Sequence, residues 1–212
     1  HYPLRRQRQM CIRDSMDTPD DGVLSRLFTV TVKPVNDPPT FTVPRVLNLL
    51  EDSTAQTLVG FATGISAGPF ETQTLSAFTV TSDRPALFSV QPSLDASGTL
   101  RFTPASNAVG TAVVSVTLTD NGDTAYGGSN LRTDTFLIDI DAVNDAPSIT
   151  IGGNQTVQVA ANRQSLNNFA TGFNPGGGSD ESSQSIAGFV VTVDKPDLFS
   201  ELPTISSTGA LT

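Results

Sequence analysis

Past Met16 the chain has neither histidine nor cysteine, which leaves carboxylates, hydroxyls, amides and a few cationic side chains to do any chemistry. Residue types alone therefore exclude a Ser-His-Asp triad, a cysteine nucleophile and a His/Cys zinc site from that stretch. The adjacent carboxylates Asp180-Glu181 are of the type used for acid–base catalysis. Nothing in their Gly/Ser-rich surroundings would hold one of the two protonated, so the expectation is a protein that is not an enzyme. Gly176-Gly177-Gly178-Ser179 could suggest a phosphate cradle. A cradle needs a strand-to-helix context, which is missing, so the run reads as a flexible loop tip. Asn154-Gln155-Thr156 matches a glycosylation triplet of the kind that arises by chance, and Tyr126 between small residues is expected on an exposed loop or against its own sandwich.

The elements that would position these groups come round twice. Val35-Asn36-Asp37 returns as Val143-Asn144-Asp145, and Phe61-Ala62-Thr63-Gly64 as Phe169-Ala170-Thr171-Gly172, both 108 residues on (143 − 35 and 169 − 61). Asp83–Ser89 returns as Asp194–Ser200 at 111, which places three extra residues around Gly176–Gly178. Self-similarity at a domain-sized period indicates a tandem array. The expected organisation is a non-native or disordered segment over 1–16, the last strand and junction of a preceding repeat over 17–39, a complete repeat over 40–147, and the first part of a following repeat over 148–212. The last of these should lack its final strands and be the least stable.

Within each unit, apolar and polar residues alternate at period two in short stretches. Phe28/Val30/Val32, Val46–Leu50, Phe78/Val80, Leu87–Val90, Thr99–Phe102, Val114/Val116/Leu118 and Phe136/Ile138/Ile140 are strand candidates, with Thr156–Val159 and Phe189/Val191/Val193 in the later unit. Asp95–Gly98, Asn121-Gly122 and Ser207–Gly209 supply turns. Prolines 85, 92, 104 and 147 are expected at strand starts or outside strands, where no ladder N–H is needed. About seven short strands in roughly 100 residues without helical periodicity describe an all-β, antiparallel sandwich. Val-Asn-Asp-Pro-Pro (35–39) and Val-Asn-Asp-Ala-Pro (143–147) lead straight into the next strand, and proline stiffens such short linkers.

Composition separates the first sixteen residues from the rest. They hold four of the twelve basic residues, the only His and Cys and both Met; beyond Met16 there are 20 acids and 8 bases, a net charge of −12. Residues 6–15 resemble translated sequencing-adapter DNA, and no apolar stretch follows them as an export signal requires. The acidic body argues against nucleic-acid binding, which rests on Lys and Arg neutralising phosphates. No 18-residue apolar run occurs, so no direct membrane insertion is expected from this stretch.

The junctions, Phe61–Pro69, Phe78–Ser89 and Gly98–Ala105 together make the chain similar to the cadherin-like, immunoglobulin-like tandem repeats of large bacterial surface and secreted proteins. The resemblance covers most of residues 20–212. It implies immunoglobulin/cadherin-like sandwiches acting as a stalk or adhesion array on the cell exterior, with neighbouring repeats of the same chain and an unknown cell-surface protein or glycan as partners. It also implies calcium at the junctions, held by an early-strand Glu, a loop Glu and the junction Asn/Asp: here Glu51, Glu71, Asn144 and Asp145, with Asp141 nearby. The pattern departs at Ala142, where cadherins carry an acid, and at Lys33-Pro34 of the first junction. Glu51-Asp52 has no acidic counterpart in the later unit, although Asp180-Glu181 supplies a loop pair. The alternative function, a carbohydrate-binding accessory module of a secreted hydrolase, is disfavoured by the absence of Trp and by Phe residues at inward strand positions.

Overall fold

The computed structural model describes residues 27–158 and 161–212. The segment expected to be non-native, 1–16, and residues 17–26 of the expected preceding-repeat tail lie outside the described residues. The described chain is all-β with short 3-10 turns and no α-helix. Its core is built by β1 (Thr40–Thr42), β2 (Val46–Leu50), β3 (Gln56–Leu58), β4 (Thr63–Ser66), β5 (Thr79–Ser82), β6 (Phe88–Leu94), β7 (Leu100–Pro104), β8 (Gly110–Thr119) and β9 (Leu131–Asp141).

A four-stranded sheet in the order β2-β9-β8-β5 faces a three-stranded sheet in the order β3-β7-β6. The long pair β8–β9 sets the frame. Ala112, Val114, Val116 and Leu118 of β8 and Phe136, Ile138 and Ile140 of β9 all point inward at 2 % exposure or less. Their neighbours in sequence face out, because side chains alternate across a pleated strand. Leu94, Leu100 and Phe102 meet them from the opposite sheet. Phe61 packs edge-on against Phe136, and Phe88 against Phe102. Burying side chains of this size contributes roughly 1.5–3 kcal/mol each.

One pairing departs from the expected all-antiparallel arrangement. β2 runs parallel to β9, with Val46 opposite Leu137 and Leu50 opposite Asp141. The cause lies at Pro44. β1 pairs antiparallel with β4, and Pro44, which has no N–H, then interrupts the strand and lets it cross to the other sheet. The ladder resumes where the Leu137 N–H donates to the Arg45 carbonyl (2.9 Å). Because β2, near the start of this body, runs parallel to β9, its last strand, the chain comes in at one end of the body and leaves at the other. β9 has 11 residues, and at about 3.3 Å per residue these ends lie roughly 35 Å apart.

Beyond Pro147, β10 (Ser148–Ile151) pairs with β11 (Ala170–Asn174). The pairing reproduces β1–β4 in detail. Thr40↔Ser66 and Thr42↔Thr63 recur as Ser148↔Asn174 and Thr150↔Thr171, each 108 positions on, with the register slip at the same step. The Ala62 N–H bond to the Gly98 carbonyl recurs as Ala170 N–H to the Gly209 carbonyl (3.0 and 2.9 Å). Gly98 and Gly209 share φ values of +82° and +84°, and a Cβ on them would collide with the carbonyl oxygens of Ala62 and Ala170, respectively.

Several sequence expectations fail here. Phe28, Val30 and Val32 form no strand and are 48 %, 48 % and 70 % exposed. They have no ladder partner among the described residues, and a lone strand leaves its backbone groups without one. Phe189–Val193 likewise lacks a paired neighbour and is not a strand, and neither is the described part of Thr156–Val159, residues 156–158; Val159 lies outside the described residues. Pro92, expected at a strand start or outside, is buried inside β6, and Pro104, expected likewise, is the buried last residue of β7. β6 is a sheet edge whose register shifts between Val90 and Ser93, so the missing N–H costs no ladder bond.

Candidate functional site: the two Asn-Asp junctions

At the first junction, Asn36 is held from three directions. It is 8 % exposed. Its Nδ2 donates to the Ser129 carbonyl (2.7 Å) and to Asp120 Oδ1 (3.2 Å), and its own carbonyl accepts from Ser129 N–H (3.0 Å). Gln73 Nε2 donates to Asn36 Oδ1 (2.6 Å) and also to Glu71. Glu71 Oε1 in turn accepts the Asp37 backbone N–H (3.1 Å). Gly122 is a spatial requirement, since a Cβ there would overlap the Asn36 amide. Thus the loop after β4 and the loop after β8 grip the linker together. Lys33 adds a contact, donating to the Tyr126 hydroxyl (2.6 Å) and lying 4.6 Å from its ring centre. Tyr126 is 68 % exposed on a left-handed turn (φ 56°).

The second junction repeats the downstream half of this grip. Asp145 N–H donates to Glu181, as Asp37 does to Glu71. Gln184 Nε2 donates to Asn144 Oδ1 (3.1 Å), as Gln73 does to Asn36. An upstream half is also visible. Glu51 N–H donates to the Asp141 carbonyl (2.9 Å), and Glu51 Oε1 accepts the Val143 N–H (2.6 Å). Asp52 Oδ1 accepts the Asn107 N–H (2.9 Å), and Asn107 Nδ2 reaches Asp145 Oδ2 (2.6 Å). Asp52 and Asn107 both adopt positive φ (56° and 55°), which short polar side chains tolerate. Val143 is therefore tied to residues 40–141, while Asn144 and Asp145 are tied mainly to residues 148–212.

The expected ligand set is divided between two places. Glu51, Asn144 and Asp145 converge on the second junction, and Asp141 contributes its backbone carbonyl there while its side chain stays exposed. Glu71 does not join them. It belongs to the first junction, near the opposite end of β9, because the loop after β4 reaches upstream. Its counterpart at the second junction is Glu181, 1 % exposed. The signal for that assignment was present: Glu71 and Glu181 each shortly precede a Gln with a hydroxyl residue next and an apolar one after it, Gln73-Thr74-Leu75 and Gln184-Ser185-Ile186. The glycine run is no free loop tip either. Gly177 N–H donates to Asp145 Oδ2 (3.2 Å), and a Cβ on Gly177 would overlap the Asn107 amide.

Buried oxygens without hydrogen-bond partners gather at these junctions: Glu51 Oε2, Asp180 Oδ1 and Glu181 Oε2 at the second, Asp120 Oδ2 and Gln73 Oε1 at the first. An orphaned buried carboxylate oxygen is costly, and a hard cation satisfies it. The donor chemistry therefore fits calcium in kind. No three acidic groups come together as a ready-made ligand cluster among the described residues. A bound ion would draw on Glu51 and Glu181 and complete its shell with carbonyls and water. Neither a protein-family model nor any curated protein matches the chain.

Proposed function

We propose that the chain is a stretch of tandem immunoglobulin/cadherin-like sandwiches that serves as a semi-rigid, extracellular stalk or adhesion array of a bacterial surface or secreted protein. The observation that carries this reading is the repeated junction grip. The same two bonds, loop Glu to Asp N–H and loop Gln to Asn Oδ1, hold the linker at both places. The parallel β2–β9 pair supports it, because the body is then threaded from end to end. A linker whose consecutive residues are bonded to the bodies on either side leaves little freedom to swing.

On this reading the partners are neighbouring units of the same chain and, through the array, a cell-surface protein or glycan. Calcium at the second junction would add stiffness by bridging Glu51 from one side and Glu181 from the other. The carbohydrate-module alternative draws less support, since the exposed Tyr126 hydroxyl is already taken by Lys33. Small-angle scattering on residues 27–212 tests the array. A compact chain of this length has a radius of gyration of about 16 Å. A clearly larger value with a rod-like profile is expected, and a value at the compact limit refutes the reading.

A further inference from the structure

Asn107 meets the second junction from the side of residues 40–147, and two left-handed residues present it. Asp52, at φ 56°, accepts the Asn107 N–H, and Asn107 is itself at φ 55°. Strained backbone of this kind persists only where the surroundings over-determine it. The Asn107 amide fills the space beside Gly177, with its nitrogen 1.7 Å from where a Cβ would stand. Its backbone carbonyl oxygen lies 3.0 Å from the same position on Gly178. Gly178 needs glycine for its left-handed backbone as well (φ +85°), whereas Gly177 lies outside that region. Gly177 is therefore glycine for space, and the space is taken by a residue of the other body. Gly176 differs, because its free side is filled from its own unit by Glu181.

The matching loop of residues 40–147 is built otherwise. Four residues, Ala67–Phe70, stand between Ser66 and Glu71, where six, Pro175–Asp180, stand between Asn174 and Glu181. The shorter loop carries Pro69 and Phe70 and has no consecutive glycines. We infer that Asn107 and Gly177-Gly178 select the neighbour. The face around Asn107 accepts a following unit whose loop passes it as bare backbone. It refuses a unit with side chains there, a second copy of residues 40–147 included. Clashes with the wrong partner discriminate as well as contacts with the right one do. The order of units is then written into the junction and not left to the linker. Neighbour selection presupposes the tandem-repeat reading proposed above. Its test is read at a single amide, whereas that reading is tested by overall dimensions, so either can fail alone.

The experiment is a cycle of Gly177→Ala and Asn107→Gly in the full chain, followed by hydrogen exchange at the Asp145 amide. That N–H is bonded to Glu181 of its own unit, so its protection does not depend on Asn107. A methyl group at 177 must push the glycine loop or the linker aside, and these carry the two ends of that bond. Beside Asn107, Gly177→Ala should lower protection about tenfold or more; in the Asn107→Gly background it should change it by less than about twofold. The remaining neighbour, Asp145 Oδ2 at 2.7 Å, is free to turn once Asn107 no longer holds it. An equal loss in both backgrounds overturns the inference, because the loop then needs glycine for its own sake. A second variant replaces residues 175–180 by Ala-Gly-Pro-Phe, the loop of residues 67–70. Loss of Asp145 protection that Asn107→Gly restores supports refusal by Asn107. Protection kept beside Asn107, or lost in both backgrounds, overturns it.

Discussion

Glu181→Gln separates a junction held only by hydrogen bonds from one completed by a cation. Glu181 is 1 % exposed; one oxygen accepts the Asp145 N–H and the other has no partner. The amide keeps an acceptor for Asp145, exchanging a charge-assisted bond of about 1.5–3 kcal/mol for a neutral one of about 0.5–1.5. The variant also removes a buried, incompletely paired charge, which offsets that loss. In chelator the two effects nearly cancel, and the variant should melt within about 1 kcal/mol of the parent. Calcium at a hundredfold over its Kd would add about 2.7 kcal/mol to the parent and little to the variant, which lacks the ligand. Paired melts in calcium and chelator, followed by NMR signals of Asp145 and Gly177, resolve the difference. A parent insensitive to calcium removes the ion from the junction. A variant stabilised as much as the parent places the ion elsewhere.

Core and turn positions give further tests. Ile138→Ala, at 0 % exposure in the centre of β9, should lower unfolding stability by about 2–5 kcal/mol in urea titration, and Ile138→Val by about 0.5–1.5. Gly98→Ala should destabilise by about 1–3 kcal/mol and release the Ala62 amide to exchange, because a Cβ would strike the Ala62 carbonyl from a left-handed backbone. Asp95 should titrate below the ordinary aspartate range by carboxyl NMR. The Ser97 hydroxyl is the main cause, aided by the Thr99 and Ser97 N–H groups. With its folded pKa depressed, Asp95 supports the turn at neutral pH. That support fades as pH falls below the usual carboxylate range, and a midpoint at or above that range contradicts the turn geometry.

The parts of the fold legible in the sequence were those where one strand's pattern decides its own burial. Val114/Val116/Leu118 and Phe136/Ile138/Ile140 alternate so regularly that only one face can be the core. Pairing partners are not written in a strand's own residues, which explains the misreading of Phe28–Val32 and Phe189–Val193 as strands. The parallel β2–β9 pair was hidden for the same reason, since Pro44 marks a break without saying where the chain goes next. At the junctions, Asn36, Asp37, Asn144 and Asp145 stood out by recurrence. Placing Glu71 required knowing which way its loop reaches, and that is set by the β1–β4 pair rather than by spacing. The glycines at 176–178 looked like slack because a sequence shows the missing side chain and not the Asn107 amide that occupies its place.

The most direct test of the account is a double electron–electron resonance distance between spin labels at Thr57 on β3 and Thr171 on β11, both exposed, in a Cys11→Ser background. A linker gripped from both sides should give one narrow distance distribution, which broadens when Glu51 and Glu181 are both changed to alanine. A distribution already broad in the parent, unaltered by that pair of substitutions, would contradict the claim that these junctions hold their neighbours in a fixed orientation.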